Sequence, residues 1–407
     1  MNQKLLLTST LLRLGRSKIR TLLMGLGIIV SVLATVLIMT AEHSFRLRFA
    51  AFIQRAYPAD SVILTPGSGA MGGSSGATPL RLSDIAVVAS SITQIRVWDP
   101  LVRGGSRDLK NGANNTSVSV VGVSENAPEA RRRSVEDGEP FTPEEVRARA
   151  HVALIGSTTA RKLFPGQSAL GETVFVDNIP FKIKGVLESV GVDPHGNNQD
   201  DTLQVPYTTL LDEMLKADSV NAVTFLVRDG SSQSESVARE IAKVMRERHG
   251  IGPGQQDDFS IMTPTLMQAL VARSFQIFDI FVPVIAGTAF LISGLVILSI
   301  MLISIRERTA EIGLRKAVGA RRMDLQVQFV LEVLIVAVMS SVVGLVLVKL
   351  MTQALGPLLA AKFGIRHFSA TPGAMALGVC AAVVTGLIGA LVPARRAAKL
   401  DPVEALR

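Results

Sequence analysis

Few residues in this chain have types and spacings suited to covalent chemistry. Gly72-Gly73-Ser74-Ser75-Gly76 matches the G-x-S-x-G frame of a hydrolase nucleophile. That serine needs a strand before it and a helix after it. Here Gly67 to Thr78 is a run of glycine, serine and other small residues, the composition of a loop. The five histidines, His43, His151, His195, His249 and His367, are scattered, and Cys380 is the single cysteine. They offer neither a metal-ligand spacing nor an intrachain disulfide. No G-x-x-x-x-G-K-[ST] occurs, so the chain does not cradle ATP in a P-loop. Glu332 stands inside an apolar block, and an intramembrane acid is a functional candidate. It lies about one turn from the block's edge, within snorkelling reach, and no proton-relay partner stands in the other blocks. The sharpest local signal is Arg306-Glu307-Arg308-Thr309-Ala310-Glu311-Ile312-Gly313-Leu314-Arg315-Lys316-Ala317-Val318-Gly319-Ala320. Its spacing predicts a helix up to Gly319, with Glu307 and Glu311 on one face and Ile312 and Lys316 on another. The chemistry is recognition: a docking helix for a partner, or a basic loop under anionic lipid.

The elements around these residues are set by composition. Hydrophobic residues make up 48% of the 407, charged residues 19%, and the mean hydropathy is +0.38. The apolar residues gather in four blocks, 21–41, 280–305, 329–348 and 374–392. The first block alone reaches roughly 31 Å as a helix, enough for a bilayer core. It is too long for a signal-peptide core and lacks a small-x-small cleavage site. Lys4, Arg13, Arg16, Lys18 and Arg20 precede the first block. Arg306, Arg308, Arg315, Lys316, Arg321 and Arg322 lie between the second and third. Arg395, Arg396, Lys399 and Arg407 follow the fourth. By the positive-inside bias both termini (1–20, amphipathic, and 393–407) and the loop 306–328 are cytoplasmic, and 349–373 is a short outer loop. The pI of 9.9 therefore reports orientation and gives no reason to expect nucleic acid. Small residues recur at four-residue spacing: Gly27, Ser31 and Thr35 in the first span, and Gly378, Ala382, Gly386 and Ala390 in the fourth. Such stripes let helices approach closely in lipid, within one subunit or between two copies.

The segment 42–276 holds 24 Lys/Arg against 27 Asp/Glu, nearly neutral and large enough for its own core. Ser61–Leu64 reads as a strand, Ser83 as the N-cap of a helix to about Ser90, and Ser117–Val123 as a half-buried strand. Ala222–Arg228, a helix over Glu235–His249 closed by Gly250, and Phe259–Met262 repeat that order. Two strand–helix–strand units, in 56–125 and 216–262, predict a split ferredoxin-like domain interrupted by an insert at 126–215. Within the insert, Arg131–Arg149 reads as charged and mobile. His151–Ile155 reads as a strand, with a short helix to Phe164-Pro165-Gly166. Glu172–Asp177 and Pro180–Leu187 form a hairpin about Asn178-Ile179, and Pro206 opens a helix to Leu215. Segments 42–55 and 263–279 read as stalk helices, the second started by Thr263-Pro264 and carrying Leu266, Leu270, Ile277 and Ile280 at near-heptad spacing. The fold class is thus a membrane protein with four transmembrane α-helices and a large α+β extracytoplasmic domain inserted between the first two.

The chain resembles the MacB-type, FtsX-like permease family of ABC transporters. The similar segments are the loop 306–320, the tail P-A-R-R-A-A-K-L-D-P-V-E-A-L-R (393–407), and the opening K-I-R-T-L-L-M-G-L-G-I (18–28). Further ones are V-A-L-I-G-S-T-T-A-R-K-L-F (152–164), the G-E-T-V and F-K-I-K-G-V-L-E pieces of 171–188, N-N-Q-D-D (197–201), and the R-H-G and D-D-F-S pieces of 248–260. Together they cover nearly the whole chain. The resemblance implies a homodimer in the bacterial inner membrane. Its periplasmic domain would have a porter part and an inserted subdomain. Glu307, Arg308, Glu311, Gly313, Arg315, Lys316 and Gly319 would form the element that couples to an ATPase. It implies no cofactor bound by the chain itself, ATP and Mg being used by a separate ABC ATPase subunit. A membrane-fusion protein and an outer-membrane duct would receive the exported substrate. Two other roles fit the same resemblance: extraction of lipoproteins, or regulation of a cell-wall hydrolase.

Overall fold

The computed structural model describes residues 18–67, 78–112, 114–193, 196–228, 230–319, 321–363 and 368–400. The Gly72–Gly76 motif, His195, His367, the segment before Lys18 and the tail from Asp401 lie outside the described residues. The chain divides into two compact units, Arg48–Ser274 and the pair Met1–Leu47 with Phe275–Arg407. Its elements run α1 (Lys18–Ala56), β1 (Ser61–Pro66), β2 (Leu80–Arg81), α2 (Leu82–Ser91), β3 (Ile95–Asn111), β4 (Asn114–Val123), α3 (Ala127–Ala130), β5 (Val135–Gly138), α4 (Pro143–Arg147), β6 (Val152–Gly156), α5 (Ser157–Leu163), β7 (Thr173–Val176), β8 (Ile179–Leu187), β9 (Thr202–Pro206), α6 (Tyr207–Thr209), a π-helical turn (Leu210–Leu215), β10 (Ser219–Val220), β11 (Ala222–Val227), α7 (Ser231–His249), β12 (Phe259–Met262), α8 (Pro264–Glu307), α9 (Thr309–Ala317), α10 (Arg322–Phe363) and α11 (Pro372–Lys399).

In the globular unit the strands form one path, β12-β1-β11-β3-β4-β9-β6-β8-β5, with β7 against β3 and β8. Its first four strands are antiparallel. Numbered by chain order within the two βαβ units they run 4-1-3-2, the ferredoxin-like arrangement. Helix α7 lays Val237, Ile241 and Met245, all fully buried, against this sheet. That four-residue spacing marks one helical face. The helix ends at Gly250, whose φ of +66° suits glycine. Phe181 and Phe225 are fully buried, each worth roughly 1.5–3 kcal/mol of transfer free energy.

Several expectations need correction here. Strand β3, the longest, pairs with β11 at its start and with β4 beyond Val102. Because β4 also pairs in parallel with β9, the second half of the sheet begins within β3, well before residue 126. Helix α2 starts at Leu82 with Arg81 in the cap position and no side-chain cap, so Ser83 lies inside it. The β7–β8 turn is Asp177-Asn178, one residue earlier than expected. Both have positive φ, +48° and +69°, and Val176 pairs with Ile179, the signature of a type I′ hairpin. Pro206 closes β9, and the helix after it is α6 followed by the π turn, which Lys216 ends in the left-handed region. The stretch 131–149 is ordered. Arg131 pairs with the buried Asp99 at 2.7 Å and Arg133 with Asp200 at 2.8 Å. Thr142 and Glu145 form a capping box on α4. At the base of α8 the buried side chains are Met267 and Phe275, while Leu266, Ile277 and Ile280 are exposed. The apolar phase there is shifted from the heptad expected. Thr263 does accept from the Leu266 amide at 3.2 Å, as an N-cap does.

In the helical unit, α1, α8, α10 and α11 are each long and apolar enough to cross a membrane. α1 and α8 are continuous over 39 and 44 residues. α10 runs on to Phe363, so the connection expected at 349–373 is mostly helix. The small residues lie at helix–helix contacts inside one chain. A Cβ on Gly27 would stand 3.2 Å from Ser293 Oγ, and one on Gly378 would stand 2.9 Å from Val36. A Cβ on Gly386 would stand 3.2 Å from Ala337 Cβ. Ala382 and Ala390 are fully buried. Ser31 Oγ hydrogen-bonds both Gly27 O and Ala289 O at 2.9 Å. Both stripes thus pack against neighbouring helices of the same subunit.

Candidate functional site

The arginine-rich end of the helical unit is built from the end of α8, all of α9 and the starts of α1 and α10, with the end of α11 behind them. α8 stops because the backbone at Arg308 leaves helical geometry, at φ −104° and ψ +15°. Thr309 Oγ1 turns back to the carbonyls of Ile305 (3.1 Å) and Arg306 (2.8 Å), satisfying groups that the helix end leaves open. α9 then runs for nine residues, and Gly319, at φ +99°, makes the turn into α10. Only glycine enters that region freely.

One face of α9 is fixed to the bundle. Ile312 is buried against the cluster that contains Leu325 and Phe329, and Gly313 is buried beside it. Lys316 Nζ donates to Ala398 O at 2.8 Å and to Leu400 O. It therefore places a cation at the negative end of α11. Arg315 donates to Gln328 Oε1 at 3.0 Å and to Glu311 Oε1 at 2.7 Å. Arg308 lies 3.7 Å from Glu332. Glu332 is only 4% exposed, so it faces the bundle as a paired ion and does not snorkel. Glu307 belongs to α8 and pairs with Arg20 of α1. The break at Arg308 thus separates it from Glu311, and the shared face expected for the two acids does not form.

The coupling set is therefore brought to one place, but Arg308, Arg315 and Lys316 are engaged within the chain. What the site presents outward is different. Ala310, Leu314, Ala317 and Val318 are exposed, Leu314 at 57% and Val318 at 83%. Their i, i+4, i+7, i+8 spacing makes one apolar strip on α9. Glu311 borders it, and Arg306, Arg321 and Arg322 are exposed around it. The strip was readable from that spacing, but the charges between its members mask it. No side chain here is a nucleophile placed beside a base, and among the described residues no group of three or more His, Cys, Asp or Glu could hold a metal. The arrangement suits binding.

The profile described as MacB-like periplasmic core domain matches residues 21–244, more than half of the chain. The chain belongs to the MacB-type, FtsX-like permease family. A second profile, FtsX-like permease C-terminal, matches residues 283–402 and so contains α9 and everything it packs against. A macrolide export ATP-binding/permease protein MacB of Hyphomonas neptunium is 33% identical over 391 residues, 95% of this chain. One from Azoarcus sp. is 31% identical over 406 residues, 98% of this chain. The chain spans 58% and 59% of the length of these two relatives. The crystal structure of the periplasmic region of MacB from Actinobacillus actinomycetemcomitans aligns with 54% of this chain and 95% of its own length, at 20% identity and a TM-score of 0.46. Family membership and the four apolar helices make this a multi-pass inner-membrane protein of the ABC transporter permease class.

Proposed function

We propose that this permease belongs to an ATP-driven, MacB-like export complex and works by transmitting motion. An ABC ATPase docks on α9, and its nucleotide cycle moves the helical unit. The continuous helices α1 and α8 carry that movement into the periplasmic domain of a homodimer. There it drives substrate toward a membrane-fusion protein and an outer-membrane duct. In this reading both termini and α9 are cytoplasmic, in keeping with the positive-inside bias of Arg306, Arg321, Arg322, Arg395 and Arg396. ATP and Mg belong to the motor.

The observation that carries the reading is the form of α9: a short helix held to all its neighbours on one face, with a bare apolar strip on the other. A strip of Ala310, Leu314, Ala317 and Val318 bordered by Glu311 suits a protein groove. The cations nearest the strip, Arg306, Arg321 and Arg322, stand outside α9, whereas a lipid-anchoring helix carries its cations on its own polar face. Of the two cations of α9, Lys316 is bonded to the end of α11 and Arg315 to Gln328 and Glu311. The test is permease-stimulated ATP hydrolysis in nanodiscs with a cognate ABC ATPase. Leu314→Glu together with Val318→Glu abolishes the stimulation while the permease stays folded, and Glu311→Gln with Arg315→Gln reduces it. Full stimulation in the Leu314, Val318 pair overturns the docking assignment.

A further inference from the structure

The segment between β8 and β9 ties itself into a plate. Asp200, buried, accepts from Ser189 Oγ (2.6 Å), the Val190 amide (2.8 Å), the Gly191 amide (2.9 Å) and Arg133 Nη2 (2.8 Å). Arg133 also donates to Glu188 O at 3.0 Å and Gln199 O at 3.1 Å, binding both ends of the segment together. Further in, Asp193 accepts from the Asn197 amide (2.8 Å), Asn197 Nδ2 (3.1 Å) and Gln199 Nε2 (3.1 Å). Backbone bonds run from the Asp193 amide to Asn197 O at 2.8 Å and from the Gln199 amide to Gly191 O at 2.9 Å. The plate is fastened to the strands as well. A Cβ on Gly156, at the end of β6, would stand 2.2 Å from Asp200 O. Side chain and backbone therefore fix the described residues of this segment to the β6–β8–β9 sheet.

Two carbonyls of the plate point at a different element. Arg48, on α1 and half-buried, donates through Nη2 to Val192 O at 2.5 Å and to Asp193 O at 2.9 Å. Charge-assisted bonds of this kind are about twice as strong as neutral ones. This part of α1 also makes apolar contacts: Phe49, Phe52 and Ile53 pack with Met262 and Met267 at the foot of the ferredoxin-like sheet, and Arg55 adds an electrostatic attraction to Glu188. Arg48 is thus a polar tether from α1 to the second half of the sheet, separate from the apolar contact that α1 makes with the first half.

We infer that Arg48 is a latch that makes the β6–β8–β9 subdomain follow α1 directly, in parallel with the route through the ferredoxin-like sheet. The inference rests on the transmission reading above. Arg48 is a positioning residue, and its partners are main-chain carbonyls, so only substitution of the arginine removes the latch cleanly.

Amide exchange on the full chain in nanodiscs tests the latch without any ATPase. Arg48→Met accelerates exchange at the amides of Asp193 and Gln199 by about tenfold or more, as local opening without a tether predicts. Exchange in β8 and β9 stays unchanged, and Arg48→Lys falls between wild type and Arg48→Met. Unchanged exchange at Asp193 and Gln199 in Arg48→Met overturns the inference. So does acceleration throughout β8 and β9, which would make Arg48 a general stabiliser. A second measurement uses spin labels at the exposed Gln54, on α1, and Gln167, on the subdomain. The distance distribution is narrow in wild type and broadens in Arg48→Met, and equal widths sink the latch. The motor reading fails separately, through ATP hydrolysis that ignores changes on α9.

Discussion

The helical and globular units solve the same problem, satisfying polar groups away from water, by opposite means. In the helical unit hydroxyls bond back to their own helix: Thr40 to Val36 O at 2.6 Å, Ser44 to Thr40 O and Ser341 to Ala337 O, each at 2.7 Å. Backbone groups are satisfied inside each helix, as lipid requires. Packing between helices then turns largely on size, as where a Cβ on Gly389 would stand 3.1 Å from Gly294 O, with Ser31 Oγ adding a bond to Ala289 O. In the globular unit buried charges are organisers. Asp99 gathers Ser124 and Arg131, and Asp200 gathers a whole connection. Among the described residues the exception is the buried Glu332, 3.7 Å from Arg308 behind α9.

That exception is the first place to break the comparison. Removing one partner of a buried ion pair leaves the other uncompensated, at a cost of about 3–5 kcal/mol. Glu332→Ala is expected to lower the detergent-resistant melting of the helical unit by that order and to loosen α9. A double substitution, Glu332→Leu with Arg308→Met, recovers most of the loss. If Glu332→Ala melts like wild type, the pair is not an organiser. The corresponding break in the globular unit is Gly156→Ala. The added methyl meets backbone at 2.2 Å, and overpacking of this kind costs about 1–3 kcal/mol, more where backbone must move. The expected readout is faster amide exchange in β6 and in the Asp200 plate, with the ferredoxin-like strands unaffected. A smaller effect is expected at Thr142, whose hydroxyl caps α4 from 3.2 Å. Thr142→Ala should cost about 1 kcal/mol, read as faster proteolysis near residue 147.

The same contrast decides what the sequence makes legible. The four spans are plain because lipid demands about 20 apolar residues in a row, and the strands β1, β4, β6, β8, β11 and β12 carry local apolar patterns. β3 is hidden. Pro100, Gly104 and Gly105 interrupt its pattern, and the register shift between Arg103 and Gly105 moves its side chains from one face to the other. The length of chain that reads as mobile at 131–149 is charged because its partners, Asp99, Asp200 and Lys184, are distant in sequence and close in the fold. At the candidate site the residues of 306–319 are legible as a group. Their roles are not, because Gln328, Glu332 and the carbonyls of Ala398 and Leu400 that engage them lie on other helices. Charge marks the segment, and the exposed apolar strip lies between the charges.

The smallest expected effect sharpens the comparison through pH. Burial alone would raise the Glu145 pKa. The Lys184 ammonium at 2.8 Å and the Thr142 amide at 2.8 Å outweigh it and hold the carboxyl below its ordinary value. Glu188 is held low as well, chiefly by the Ser134 hydroxyl at 2.7 Å. A carboxyl with a lowered pKa in the folded state binds fewer protons there than in the unfolded chain. Its stabilisation is complete above the ordinary carboxylate pKa of about 4.3. It is lost as pH falls through the lowered folded value. Both groups pack on the second half of the sheet, so that half should lose amide protection relative to free-peptide exchange below about pH 4.3, before the ferredoxin-like strands respond. Glu145→Gln removes its share of the slope while leaving the neutral-pH fold in place. An acid response of equal size in Glu145→Gln and wild type would show that the Lys184 pair contributes nothing. The organising role of buried charge in this unit would then rest on carboxylates such as Asp99 and Asp200.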